Sequence, residues 1–418
     1  MNKKRFGIGI IGAGFNARFH IKSWISVRDA DILGIYDKNE DTAAEAAALA
    51  NNLQVGEAKV FNSITKMVEN PGIDALWICS PNFTRIEVME EIASAIEKGK
   101  GSLVGVCCEK PLGRNVAEAS KMLELVQKAE LLDGYLENQL FSPAIIRGKE
   151  IIWDRGARFA GRPYLARAAE EHSGPHKPWF WEGELQGGGV LNDMMCHSVE
   201  VARFLLTEPG KPRNSITPIS VSAHAECLKW QIPEYAEILA KNSNGKLDYI
   251  NRPAEDYARA VVEYLDENGQ KLIVETTTSW AFVGAGLRLS MELLGPEYSL
   301  AVNTLDSDLK LFLSRNIRTD EGEDLIEKQN AESGLMPVVS NEENTYGYDL
   351  ENRHMVKSFI EGKRPSENFS DGLNVTQLLM TAYMSAEQNK TIAFPPPELE
   401  TFIPQVAKGK WNPRKMNQ

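Results

Sequence analysis

The sequence predicts two folds in one chain: a doubly wound parallel α/β sheet over residues 1–140, then an α+β domain with an open, mainly antiparallel sheet over residues 141–418. Three observations carry this. Strand-like and helix-like apolar segments alternate up to about residue 140. The first strand runs straight into a glycine-rich turn. Beyond residue 141 the segments lengthen and alternate with period two, as in a sheet covered on one face.

Phe6 to Ile11 is the first apolar strand, and Gly12-Ala13-Gly14-Phe15-Asn16-Ala17 turns it into a helix. Gly-x-Gly-x-x-Ala between strand and helix is the dinucleotide fingerprint. Gly12 permits the tight turn, Gly14 lets a pyrophosphate near the backbone, and Ala17 packs helix on strand. The helix begins at Phe15 and Asn16, whose free amide groups meet the phosphate. The second strand, Ile32 to Tyr36, ends at Asp37, twenty residues beyond Ala17, where a carboxylate accepts the adenine ribose hydroxyls. NAD is therefore favoured over NADP, although Lys38 offers a cation that tolerates a ribose phosphate.

Further strands are expected near Val60-Phe61, Ala75 to Cys79, Leu103 to Cys107 and Leu132 to Leu136, with helices at Thr42 to Ala50, Ile86 to Lys98 and Val116 to Ala129. Open α/β sheets bind ligands at the carboxyl ends of their strands, so the Leu103 to Cys107 segment delivers Glu109-Lys110-Pro111 to that crevice. The tripeptide taken alone also fits an ordinary strand-end turn.

Composition bounds the remaining options. A chain of 418 residues suggests two or three domains. The net charge of −12 disfavours nucleic acid as a partner, since a phosphate backbone is repelled. No apolar stretch is long enough for a bilayer, and the basic start Met1 to Arg5 leads directly into the first strand rather than a signal peptide. The expected compartment is the cytoplasm. Five cysteines, with only Cys107 and Cys108 adjacent, form no paired framework and no zinc spacing, so no metal is expected.

In the second domain, a helix Ile145 to Trp153 leads to strands at Val221 to Glu226, Ala258 to Leu265, Leu272 to Trp280 and Leu287 to Leu294. Its chemistry gathers around Gly187-Gly188-Gly189-Val190-Leu191-Asn192-Asp193, which opens a helix carrying His197. The i,i+4 spacing puts Asp193 and His197 on one face, and three glycines admit a ligand. The alternative is a helix-capping Asp193 and a satisfied core histidine. Before this run, Glu170 to Trp181 reads as a polar and aromatic loop. Its His172, His176, Trp179 and Trp181, with Asn192, are candidates to contact the apolar face and hydroxyl rim of a sugar ring. Tryptophans packed on the domain explain the same residues equally well. Gly174 and Pro175 between the two histidines rule out a helical metal pair. Arg162, Arg167 and Lys177 offer cations for an acidic substrate group or simply a solvated face, and His354 sits on a later helix, Leu350 to Glu361.

Together these motifs resemble the Gfo/Idh/MocA oxidoreductase family. The fingerprint with His20 after it, Cys79-Ser80-Pro81-Asn82, Glu109-Lys110-Pro111, and Asp193 with His197 occur in that family's order and spacing. The resemblance implies that Ser80, Pro81, Asn82, Glu109 and Lys110 lie at the cofactor. Lys110, Asp193 and His197 would then surround a substrate hydroxyl. His197 would be the general base, Lys110 the stabiliser of charge on oxygen, and Asp193 the orienting carboxylate. Arg85 departs from the pattern, because many relatives carry histidine there. Glu109 has a second reading as a structural partner of Lys110.

The implied activity is hydride transfer between a secondary hydroxyl of a sugar, cyclitol or glycoside and nicotinamide, by a homodimer or homotetramer. Two alternatives stand beside it: a redox-neutral NAD-dependent glycosidase acting through transient oxidation and elimination, and a non-catalytic NAD-bound sensor.

Overall fold

The computed structural model describes residues 5–307, 309–313, 327–329 and 334–413; residues 1–4, which hold most of the basic start, lie outside them. The chain forms two compact units. One joins Met1–Pro143 to Tyr346–Thr376, and the other holds Ala144–Thr345 and Gln377–Gln418.

In the first unit, β1 (Phe6–Ile11), β2 (Ala30–Tyr36), β3 (Lys59–Val60), β4 (Ala75–Ile78), β5 (Gly105–Glu109) and β6 (Leu132–Leu136) make one sheet in the order β3-β2-β1-β4-β5-β6. Every pairing is parallel. The order reverses beside β1, which leaves a crevice at the carboxyl ends of β1 and β4. Parallel strands are covered on both faces, and all four residues of β4 are accordingly buried. The helices are α1 (Phe15–Ser23), α2 (Glu40–Asn52), α3 (Ile64–Val68), α4 (Arg85–Glu97) and α5 (Val116–Lys128). Asn39, Ser63 and Asn115 cap α2, α3 and α5 by accepting backbone amides, as their side chains predispose them to do. The core includes Ile11, Leu76, Ile78, Met89, Ile92, Val106 and Met122.

The alternation locates β6 correctly at Leu132–Leu136, whereas β5 lies two residues later than expected, so Glu109 is its last residue and Lys110 follows directly. The Tyr348–Ile360 helix also departs from the two-domain division, because it clusters with the first unit. Its Phe359 ring and Met355 sulfur fill the space that a Cβ would take at Gly105 and Gly134.

The second unit contains a seven-stranded sheet, β12-β11-β7-β10-β9-β8-β15. Its strands are β7 (Leu165–Glu171), β8 (Ile216–Glu226), β9 (Tyr257–Asp266), β10 (Lys271–Ser279), β11 (Arg288–Gly295), β12 (Tyr298–Asn303) and β15 (Ile392–Ala393). A separate ribbon pairs β13 (Leu309–Leu313) with β14 (Gly334–Val338). All ladders of the large sheet are antiparallel except β7 with β10. The Val190–Leu206 helix packs on β7, β9, β10 and β11. On the other face Arg167 pairs with Glu275 and Glu292 at 2.7 and 3.2 Å across three strands.

Strand β7 is not visible in the sequence pattern, which reads Glu170 and Glu171 as loop. They are its last two residues. Inward positions 166 and 168 are alanines, too weakly apolar to mark the alternation.

Candidate functional site

In the first unit, Gly12 has φ +87, and a Cβ there would lie 2.6 Å from the backbone nitrogen of Ser80. Only glycine fits where the ends of β1 and β4 come this close. A Cβ at Gly14 would meet nothing within 4 Å. Helix α1 starts after Gly14 without a side-chain cap, which puts the positive end of the helix beside that space. Asp37, just past β2, accepts the amides of Ala13 at 2.8 Å and Asn39 at 2.9 Å, which anchors its carboxylate beside the turn. Lys38 is exposed. This arrangement fits a dinucleotide: room over Gly14, the N-terminus of a helix directly after it, and a fixed carboxylate at the next strand end. Asn16 also accepts the Tyr348 hydroxyl at 2.8 Å.

Around Lys110, the structure supplies partners that the sequence did not reveal. Glu109 is buried, with Oε1 2.8 Å from His20 Nε2 and Oε2 accepting the Lys110 amide at 3.1 Å. Burial opposes the charge on Glu109, but the His20 bond and charge, with the charges of Lys110 and Arg85, hold its carboxyl below the usual range. His20 Nδ1 lies 3.1 Å from Asn352 Oδ1, which also accepts Trp77 Nε1 at 2.9 Å.

Arg85, whose role the motif comparison left open, is buried. Its guanidinium donates to the carbonyls of Ser80 and Lys110, at 3.0 and 3.1 Å, and to those of Glu109 and Pro111. One side chain thereby ties the Ser80-Pro81-Asn82 turn to both sides of Lys110. Only a planar fork reaches four carbonyls at once. Ser80 accepts the Thr84 hydroxyl at 2.9 Å, and Asn82 is buried at the start of the same turn.

Lys110 belongs to the first unit; Asp193 and His197 belong to the second. There the Val190–Leu206 helix begins at Gly189, and its first amides are satisfied from outside the helix. Glu255 Oε1 accepts the amides of Gly189 and Leu191 at 2.7 and 3.2 Å, its backbone carbonyl accepts Val190, and the Tyr383 hydroxyl accepts Gly189 and Asn192. This corrects the expectation that the glycine run admits a ligand, for Gly188 and Gly189. A Cβ at Gly188 would lie 1.9 Å from the Tyr383 hydroxyl, and one at Gly189 would lie 2.4 Å from the Glu255 carbonyl. These two glycines make room for protein. Burial pushes the Glu255 carboxyl up to about 7 despite the donors around it.

Asn192 is fully buried, with Nδ2 donating to Gln186 at 2.8 Å and Oδ1 buried with no partner among the described residues. Asp193 and His197, one turn apart, are 5% and 4% exposed. His197 Nε2 lies 3.9 Å from Oε2 of Glu170, a partner absent from the sequence reading. His172 is buried and its Nδ1 accepts the Gly174 amide at 2.9 Å, so the proton of a neutral ring sits on Nε2.

The aromatic candidates separate. Trp181 is 4% exposed, donates to Pro175 and packs edge-on against Trp230, Tyr249 and Trp280, as a core residue does. Trp179 stacks on Phe180 at 3.8 Å and is partly exposed, and His176 is exposed. Arg162 is engaged by Asp266 at 2.8 Å, and His354 packs against Phe141. No helix among the described residues is long and apolar enough to cross a membrane.

A family model described as the oxidoreductase family, NAD-binding Rossmann fold, matches residues 6–133. Another, described as the GFO/IDH/MocA C-terminal domain, matches residues 157–301. The myo-inositol 2-dehydrogenase of Thermotoga maritima is 27% identical over 201 residues, 48% of this chain and 55% of that protein. The inositol 2-dehydrogenase of Rhizobium meliloti is 29% identical over 222 residues, 53% of this chain and 58% of that protein. The chain thus spans little more than half the length of these curated relatives. Among solved structures, GenD2 from gentamicin A biosynthesis in complex with NAD has the same fold, with a TM-score of 0.73 at 20% identity over 95% of this chain and 98% of that one. With both of its domains matched in order, the chain belongs to the GFO/IDH/MocA oxidoreductase family.

Proposed function

We propose that this protein is an NAD-dependent dehydrogenase that oxidises a secondary hydroxyl of a sugar, cyclitol or glycoside. The observation that carries the reading is the glycine turn at the end of β1, where Gly12 is locked by Ser80 and open space lies over Gly14 beside the uncapped start of α1. A nicotinamide dinucleotide bound there supplies a hydride acceptor. Asp37 favours NAD, because a second phosphate on the ribose would face its charge. The cyclitol class is supported by the inositol dehydrogenases among the relatives.

The residues act on the substrate oxygen in the roles that the family pattern implies. His197 takes the hydroxyl proton, a task that suits an imidazole near neutral pH. Lys110 donates a hydrogen bond to the same oxygen as negative charge develops there. Asp193, one turn before His197, favours its cationic form. Glu109, His20 and Arg85 fix the backbone that presents Lys110. His172, His176, Trp179 and Asn192 are the candidate substrate contacts, while Trp181 supports them from the core. All five cysteines are free thiols, which supports a reducing compartment such as the cytoplasm. A homodimer or homotetramer follows from the family pattern alone.

The test is to incubate purified protein with NAD and a panel of cyclitols, free sugars, sugar acids and glycosides, following reduced nicotinamide and released aglycone together. Reduced cofactor without cleavage is the expected result, and Lys110→Ala lowers its rate by about a hundredfold or more with the fold intact. Cleavage without net reduced cofactor would replace the reading with a redox-neutral glycosidase. Dinucleotide binding with neither product would replace it with a sensor.

A further inference from the structure

The inner face of β7 carries Ala166, Ala168 and Glu170, followed by His172 just past the strand, and all four are buried. The two alanines let the Val190–Leu206 helix approach the sheet. Another apolar residue at position 170 would extend this row at no electrostatic cost, whereas a buried carboxylate is expensive unless something compensates it. Beside Glu170 in the sheet stand Thr278 on β10 and Leu289 on β11, both buried and neither charged. From the helix packed over it, His197 presents Nε2 at 3.9 Å. The same helix also carries Asp193, Cys196, Glu200 and Arg203, of which Glu200 and Arg203 pair with each other at 2.7 Å. The strands carry Arg167, Glu171, Lys271, Glu275, Arg288 and Glu292, all in ion pairs of their own. Asp193 lies one turn from His197, and His172, beyond the strand, is occupied at Nδ1 by the Gly174 amide.

We propose that Glu170 is a positioning residue for His197: its carboxylate holds the ring and supplies the negative charge against which His197 takes up a proton during turnover. This rests on the assignment of His197 as the base. In the step, the substrate O–H bond breaks and an N–H bond forms on His197. Glu170 stays ionised throughout and takes no proton. A fixed carboxylate in a water-poor site stabilises the imidazolium more than the neutral ring.

The experiment compares wild type, E170Q, E170D and H197N with NADH bound. One readout is the charged fraction of the His197 ring at pH 7, from 15N shifts of histidine-labelled protein, with H197N identifying the signals. The other is kcat and KM on the panel compound that wild type oxidises fastest. The isosteric E170Q is expected to lower the charged fraction and kcat by about tenfold each, with KM and NADH affinity unchanged, and E170D to recover part of the loss. Circular dichroism melting verifies the fold of each variant. Unchanged ring charge in E170Q would overturn the proposal, and so would a raised KM at constant kcat, which would make Glu170 a substrate contact. H197N separates the two levels: if it turns over like wild type, the base assignment itself fails. If H197N is inactive while E170Q matches wild type in both readouts, only the role of Glu170 fails.

Discussion

His20 and Glu109 lie 2.8 Å apart in the interior of the first unit, although 89 residues of chain separate them. One follows the glycine turn on α1 and the other ends β5 immediately before Lys110. A single buried pair therefore fastens the helix that follows the glycine turn to the lysine-bearing loop.

Replacing His20 by alanine strands the Glu109 carboxylate without its partner. Removing one member of a buried pair costs about 3–5 kcal/mol, so H20A is expected to show a large fall in the urea midpoint. Because the folded Glu109 carboxyl sits below its ordinary value of 4.5, the pairing contributes full stability above that pH. It is lost as the pH falls from 4.5 through the lower folded value. Denaturation series between pH 3 and 7 should show this acid-sensitive component in wild type and a smaller one in H20A, where only the Lys110 and Arg85 charges still favour the carboxylate.

Arg85→Lys keeps the charge and loses the fork. Lysine cannot reach the carbonyls of Ser80, Glu109, Lys110 and Pro111 together, and each lost bond to a charged donor is worth about 1.5–3 kcal/mol. R85K should unfold at lower urea and, where still folded, lose kcat with little change in substrate KM, because Lys110 is no longer held. Unchanged kcat would limit Arg85 to stability.

Asp37→Asn retains an acceptor for the Ala13 amide while removing the charge that the proposed function sets against the adenine ribose. The NAD-over-NADP ratio of dissociation constants should narrow by about tenfold, equivalent to about 1.4 kcal/mol. Fluorescence titrations with NADH and NADPH measure it. An unchanged ratio would place the selectivity elsewhere.

Glu255 predicts pH dependence in the second unit. Its carboxyl is raised from 4.5 to about 7, so the folded state holds the proton more tightly than the unfolded chain does. The corresponding stability, on the order of 3 kcal/mol, is fully present below pH 4.5 and lost as the pH rises through about 7. Glu255→Gln keeps an acceptor for Gly189 and Leu191. Melting curves at pH 5.5 and 8.5 should differ less for E255Q than for wild type.

The sequence made the first unit legible because its parallel strands are continuous apolar runs between glycine and capping signals. Gly12, Gly14 and Asp37 were singled out by spacing, whereas Lys110 needed its strand-end position and the family resemblance together. The second unit was harder to read. Strand β7 hides behind two alanines, and its central place between β10 and β11 depends on strands more than a hundred residues later. The glycine run was found, but its purpose was not, since Tyr383 and Glu255 come from distant segments. Arg85 stood out only as a departure from a motif. Its four carbonyl partners are backbone groups, which leave no trace in residue identity.

The placement of Tyr346–Thr376 within the first unit also shapes how that unit can be made and cut. During synthesis, residues 1–143 emerge long before Asn352 is available to His20 and Trp77, or Phe359 to the space beside Gly105. The nucleotide-binding half must wait, with Trp77 and the back of β5 uncovered, for some two hundred further residues. A fragment ending near residue 143 would thus expose a greasy surface and be prone to clump. Grafting residues 346–376 onto that fragment through a short linker offers a route to a portable nucleotide-binding module.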